Sequence, residues 1–91
     1  MAMRMDYDVM EQRANEFQRH ADAVDEVVKK MDNLLKALES EWEGLGAQSF
    51  VNRYYDLKPG FSQVPGVISS IANKLKDAAR ATREHDQSMK F

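Results

Sequence analysis

From Met10 onward, apolar residues recur at Ala14, Phe17, Ala21, Val24, Val28, Met31, Leu35, Leu38 and Trp42, in unbroken alternating steps of four and three. That spacing predicts an amphipathic helix over about 8–42 with a heptad seam. Asp6 or Asp8 can cap its start, and Asp8 with Glu11 three residues on resembles a capping box. At 1.5 Å per residue the helix is about 50 Å long, too long for the core element of a compact fold. The stripe stops at Trp42-Glu43-Gly44-Leu45-Gly46. Gly44 can take the left-handed conformation that ends a helix, and Gly46 loosens the reversal, so a turn is expected over 42–46.

The pattern then resumes at Ala47, Phe50, Tyr54, Leu57, Phe61, Val64, Ile68, Ile71, Leu75, Ala78, Thr82, His85 and Met89. A second helix over about 47–86 follows, with a flexible tail at 87–91, and the chain reads as one domain forming an all-α, antiparallel helix-turn-helix hairpin. Pro59-Gly60 and Pro65-Gly66 interrupt it. Each proline lacks a backbone donor and crowds the carbonyl four residues back, so a kink or break is expected within 55–66. The expected seam, within the hairpin or between the hairpins of a dimer, comprises Phe17, Val24, Val28, Met31, Leu35, Leu38, Phe50, Tyr54, Leu57, Phe61, Ile68, Ile71 and Leu75, with Ala14, Ala21, Ala47 and Ala78 permitting close approach. Val27, Leu34, Val51, Val67, Ala72 and Ala79 widen the stripe beyond one seam. Two helices leave this surplus uncovered, and a second hairpin completing a four-helix bundle would bury it.

Composition narrows the chemistry. The 91 residues contain no cysteine, which excludes disulfides, thiolate metal sites and thiol catalysis. His20 and His85 are the only histidines and form no His-x-x-x-His or Glu-x-x-His pair, so no metal site and no cofactor is expected. Burial of either imidazole would make a dimer weaken in acid. Glu39, Glu41 and Glu43 gather near the turn but alternate around the helix, with no nucleophile and base beside them. No catalytic activity is expected. Residues 1–44 carry 11 acids against 6 bases, a net −5, and residues 45–91 carry 4 against 7, a net +3, giving the chain's −2. The two halves attract, and the excess of acid argues against a nucleic-acid partner. Neither a membrane-spanning run nor the apolar core of a signal peptide is evident, so export would need a dedicated machine. A membrane-surface role for released amphipathic helices is not indicated.

Trp42-Glu43-Gly44 between two amphipathic helices, with Phe50 just after the turn and Tyr54-Tyr55-Asp56-Leu57-Lys58-Pro59-Gly60-Phe61 beyond it, resembles the WXG family of small type VII (ESX) secretion substrates. The last run is similar to the Leu-Lys-Pro-x-Phe segment of homodimeric Gram-positive members. The resemblance covers essentially the whole chain. It implies a hairpin that pairs with itself or a second family member, and secretion without a cleavable signal peptide through a membrane complex driven by a type VII ATPase. Its members act as secreted effectors, carriers of other substrates or parts of the apparatus. Trp42 and Gly44 would mark the turn that export recognises. The family's tail pattern Tyr-x-x-x-Asp/Glu is absent, since Thr82 stands four before Asp86; Thr82, Asp86 and Met89 fit a looser hydrophobic-Asp-hydrophobic pattern and are the candidate C-terminal export signal. The alternative is a cytoplasmic coiled-coil adaptor that binds another helical protein and stays inside the cell.

Overall fold

A computed structural model of the chain describes residues 6–88. Helix α1 runs from Tyr7 to Glu41, α2 from Leu45 to Ser62 and α3 from Val64 to Ser88. Asp6 is the cap of α1: its carboxylate accepts the Asp8 N–H at 3.1 Å. Asp8 therefore sits inside the first turn and is not the cap of an Asp8–Glu11 box. A carboxylate there is still favourable, because the free N–H groups of a helix start carry partial positive charge.

The expected second helix is two helices in nearly one line. Pro59 is absorbed within α2, whereas Pro65 coincides with the break, at Gln63. The difference is positional. Pro65 is the second residue of α3, where a missing N–H leaves no intrahelical bond unmade. Gln63 keeps right-handed dihedrals (φ −80°, ψ −19°), and its carbonyl accepts the Val67 N–H at 3.1 Å, so the direction of the chain is almost preserved. α3 continues to Ser88, into the segment expected to be a flexible tail; Met89, Lys90 and Phe91 lie outside the described residues.

The hairpin is a rod of 74 × 22 × 17 Å. Cross-helix pairs set its register: Arg83 reaches Asp8 and Glu11, Lys58 reaches Asp32, and Trp42 meets Phe50. Ala14 then falls level with Ala79, and Ala21 with Ala72. All four are 0–2% exposed. Methyl side chains let the backbones close in, and α1 packs far more tightly on α3 than on α2. Farther along, Leu35 is buried, and Tyr54 packs edge-on to Phe61 at 5.5 Å between ring centroids. These larger side chains hold α2 farther from α1.

The hairpin's own interface uses only part of the expected dimer/hairpin seam on α2 and α3. Val51, Lys58, Pro65, Ala72 and Ala79, seven residues apart, face α1 together with Tyr54, Phe61, Ile68, Leu75 and Thr82. The row Phe50, Leu57, Val64, Ile71 and Ala78 lies outside the hairpin's own seam and is exposed. Both rows stand three or four residues from Tyr54, so alternating threes and fours fit either. The small residues Ala72 and Ala79 take the inner place because Ala14 and Ala21 opposite demand close approach, and the bulkier row is left outside. On α1, Val24, Val28 and Met31 are half-buried, while Phe17 and Leu38 stand at the exposed edge.

Candidate functional site

The reversal is built from Trp42, Glu43 and Gly44. Trp42 ends α1 in extended conformation, and its N–H still donates to the Leu38 carbonyl at 2.9 Å. Gly44 precedes α2 with φ 106° and ψ −177°. This is not the left-handed helical cap expected from the sequence but the extended positive-φ region that only glycine enters readily. Its carbonyl accepts the Gln48 N–H at 3.2 Å and starts α2. Gly46 lies inside α2 and does not loosen the turn. A β-carbon there would stand 3.4 Å from the Trp42 ring, at the edge of ordinary contact, so the indole packs over this position.

The indole lies over Gly46, tilts against Phe50 at 5.8 Å between centroids, and lines a groove together with the buried Ala47. It remains 42% exposed. A shallow groove of about 290 Å³ runs between Glu39, Trp42 and Gly44 on one side and Gln48, Val51 and Asn52 on the other. Local helix chemistry, one obligatory glycine and one close approach place Trp42 and Gly44 together at the tip.

Next to the turn lies an apolar groove of about 270 Å³, lined by Met31, Leu34, Leu35, Leu38, Phe50 and Tyr54. It exists because α2 stands off from α1. Leu34 and Phe50 both line it, so they share one side of the rod, and the heptad rows continue that side through Val27 on α1 and Leu57, Val64 and Ile71 on α2 and α3. The other side is polar. Glu11 and Asn15 there face Lys76, Arg80 and Arg83, and the Arg83 guanidinium also lies 4.6 Å from the Tyr7 ring centroid.

One polar cluster crosses between α1 and α2. The Asp32 carboxylate accepts the Tyr54 hydroxyl at 2.7 Å and the Lys58 ammonium at 3.0 Å. These two hydrogen bonds hold the Asp32 carboxyl below its ordinary range. Partial burial, together with the Asp32 carboxylate, pushes the Tyr54 hydroxyl up to about 12. The cluster escapes sequence reading because Lys58 looks like a solvated helix cation, and only the register aligns it with Asp32.

At the other end of the rod, Thr82 is half-buried and donates its hydroxyl to the Ala78 carbonyl at 2.9 Å. Asp86 follows on α3, and Met89 lies outside the described residues. His20 and His85 are both exposed, so the burial that an acid-sensing imidazole would need is not present in the chain. Glu39, Glu41 and Glu43 are exposed and do not converge on a common point. No described helix is long and apolar enough to cross a membrane.

A protein-family model described as WXG100, proteins of 100 residues with WXG, matches residues 2–87. The protein YukE of Bacillus subtilis (strain 168) is 27% identical over 60 residues, which is 66% of this chain and 62% of YukE. Among solved structures, Geobacillus thermodenitrificans EsxA in crystal form I superposes with a TM-score of 0.88 at 20% identity, covering 100% of this chain and 98% of that one. That likeness establishes the helical-hairpin fold, and the family match spans α1, α2, all but the last residue of α3 and the Trp42-Glu43-Gly44 turn. The chain belongs to the WXG100 family of type VII secretion substrates.

Proposed function

We propose that this chain leaves the cell as a non-catalytic dimer of hairpins, delivered by a type VII secretion ATPase, and that it acts as a secreted substrate or as a carrier for another one. The observation that carries the dimer is the exposed row Phe50, Leu57, Val64 and Ile71, which shares one side of the rod with Val27 and Leu34. These side chains are 39–65% exposed in the single chain. A continuous apolar strip of this length on a soluble rod marks an interaction surface, and a second hairpin laid on it makes a four-helix bundle. A second copy fits on charge as well as shape. Each chain has an acid-rich α1 and a base-rich second strand, and a two-fold axis sets one against the other. A second family member in place of the second copy would use the same face.

Recognition by the machinery falls to the exposed end of the molecule, Trp42 with Gly44, and to the tail residues Thr82, Asp86 and Met89. Family membership supports the export route, and the half-exposed indole supports the turn as the part that is read. The test is the amount of protein in washed culture supernatant from the native bacterium, compared with a strain whose type VII ATPase is inactivated and with a cytosolic marker as control. ATPase-dependent appearance outside is the expected result. Retention in both strains, while the machine secretes its other substrates, would instead support the intracellular adaptor.

A further inference from the structure

Two interruptions bound α2, and its own residues make it the weakest helix of the rod. At one end Gly44 starts it at φ 106°, with no side-chain hydrogen bond to cap the free N–H groups. At the other end the helix breaks at Gln63. Between them Gly46, Pro59 and Gly60 all lower helical stability, and Pro59 leaves the Tyr55 carbonyl without its usual intrahelical donor. Ala47 is the one buried residue of α2, whereas α3 sets Ala72 and Ala79 fully buried against α1. Packing of α2 on α3 is slight.

What joins α2 to α1 at mid-length is polar. Among the described residues, the hydrogen bonds between these two helices are those that Asp32 receives, from the Tyr54 hydroxyl at 2.7 Å and the Lys58 ammonium at 3.0 Å. The Tyr54 side chain also lines the apolar groove of about 270 Å³ beside it, so the same residue holds the polar link and borders the gap between the helices. A segment with few buried contacts and one polar tie is the kind that opens locally while the rest of a fold stays closed.

We infer that α2 is a latched strap: it opens from α1 as one unit between Gly44 and Gln63, and the Asp32–Tyr54–Lys58 cluster is the catch that holds it closed. The break falls between Leu57 and Val64. The strap therefore carries the turn-side half of the exposed apolar row, Phe50 and Leu57, while the tightly packed α3 carries Val64 and Ile71. In the pairing proposed above, on which this one consequence rests, a partner meets a fixed half and an adjustable half, and its docking closes the strap.

Hydrogen exchange read by mass spectrometry on the full-length chain tests both statements. The wild type is compared with D32A, Y54F and D32A/Y54F, which cut the catch, and with V27E, which charges the α1 part of the apolar side without touching α2. Alanine is a strong helix former, so D32A leaves α1 helical. Amides of 45–62 should exchange together and about tenfold faster than those of 70–80. D32A should speed 45–62 by about a further tenfold, the loss of a hydrogen-bonded charge, and leave 70–80 unchanged. Y54F should act in the same direction, and the double variant should exchange no faster than D32A, because the catch is already cut. V27E should show a more open α2 than the wild type, since it lacks the partner that closes the strap.

Exchange of 45–62 at the rate of 70–80 in both the wild type and V27E would overturn the strap, since the rod would then open only as a whole. Equal acceleration of both segments by D32A would overturn it too, by making Asp32 an ordinary contributor to global stability. So would exchange that spreads inward from Gly44 residue by residue. An open α2 that exchanges identically in the wild type and V27E would support the strap and overturn its closure by a partner.

Discussion

At Gly44 a single residue decides the geometry of the turn. Its φ of 106° with ψ near 180° is open to glycine and strained for any residue with a β-carbon, although no atom lies within 4 Å of where that carbon would stand. The penalty of Gly44→Ala is thus conformational and not steric, about 1–3 kcal/mol. Thermal unfolding should show that loss, with helicity retained at low temperature. Sequence reading marked Gly44 as the turn residue but assigned it a left-handed helical cap, because nothing local to the sequence says that Trp42, not Gly44, closes α1. Asp32 makes a different kind of prediction. Hydrogen bonds from Tyr54 and Lys58 favour its charged form in the folded chain, so the stability it contributes is present at neutral pH. That contribution is lost as pH falls below the ordinary 3.8 and through the lower folded value. Asp32→Asn should therefore be less stable at pH 7 and should converge with the wild type in acid. Tyr54 acts with the opposite sign: its raised value contributes stability below the ordinary 10, lost as pH rises through about 12. Tyr54→Phe should lack that alkaline component when melting is followed from pH 9 upward.

The elements divide the rod into a tight half and a loose half. Ala14, Ala21, Ala72 and Ala79 zip α1 to α3, while α2 is held to α1 by large side chains and the Asp32 cluster. Ala21→Leu should force α1 and α3 apart and cost about 1–3 kcal/mol, read from chemical denaturation. Hydrogen exchange should find α2 opening more readily than the centre of α3, since it has fewer close contacts and lies between a glycine turn and a break. The two long periodic segments, their antiparallel return and an interruption near the prolines were all legible in the sequence, because a heptad stripe and two Pro-Gly pairs are local signals. The inner row of the second strand was not legible. Spacing alone fits Phe50-Leu57-Val64-Ile71 as well as Val51-Lys58-Pro65-Ala72, and hydrophobicity favours the outer row over the one that faces α1. Only the alanines of the opposite helix, which require small partners, resolve the choice. The same ambiguity hid Lys58, a charged residue in a seam row that reaches across to Asp32.

For the whole molecule, that resolution has a consequence: the row excluded from the hairpin's interior leaves a line of exposed apolar side chains on a rod 74 Å long. A chain with 31% charged residues has enough polar side chains to cover such a strip, and Glu11, Lys76, Arg80 and Arg83 gather away from it. The proposed pairing through the apolar side would account for that sidedness. A charge placed in the centre of that side should separate the partners and leave each hairpin intact, because Leu57 does not face α1. Leu57→Glu should raise the dimer dissociation constant by about tenfold or more while the helical circular-dichroism signal persists. The most direct test is the mass of the purified full chain by light scattering across a range of concentrations. The account predicts a particle of twice the 10.5 kDa chain mass, for the protein alone or on addition of a second family member. A well-folded chain that stays monomeric at all concentrations, with and without such a partner, would contradict it.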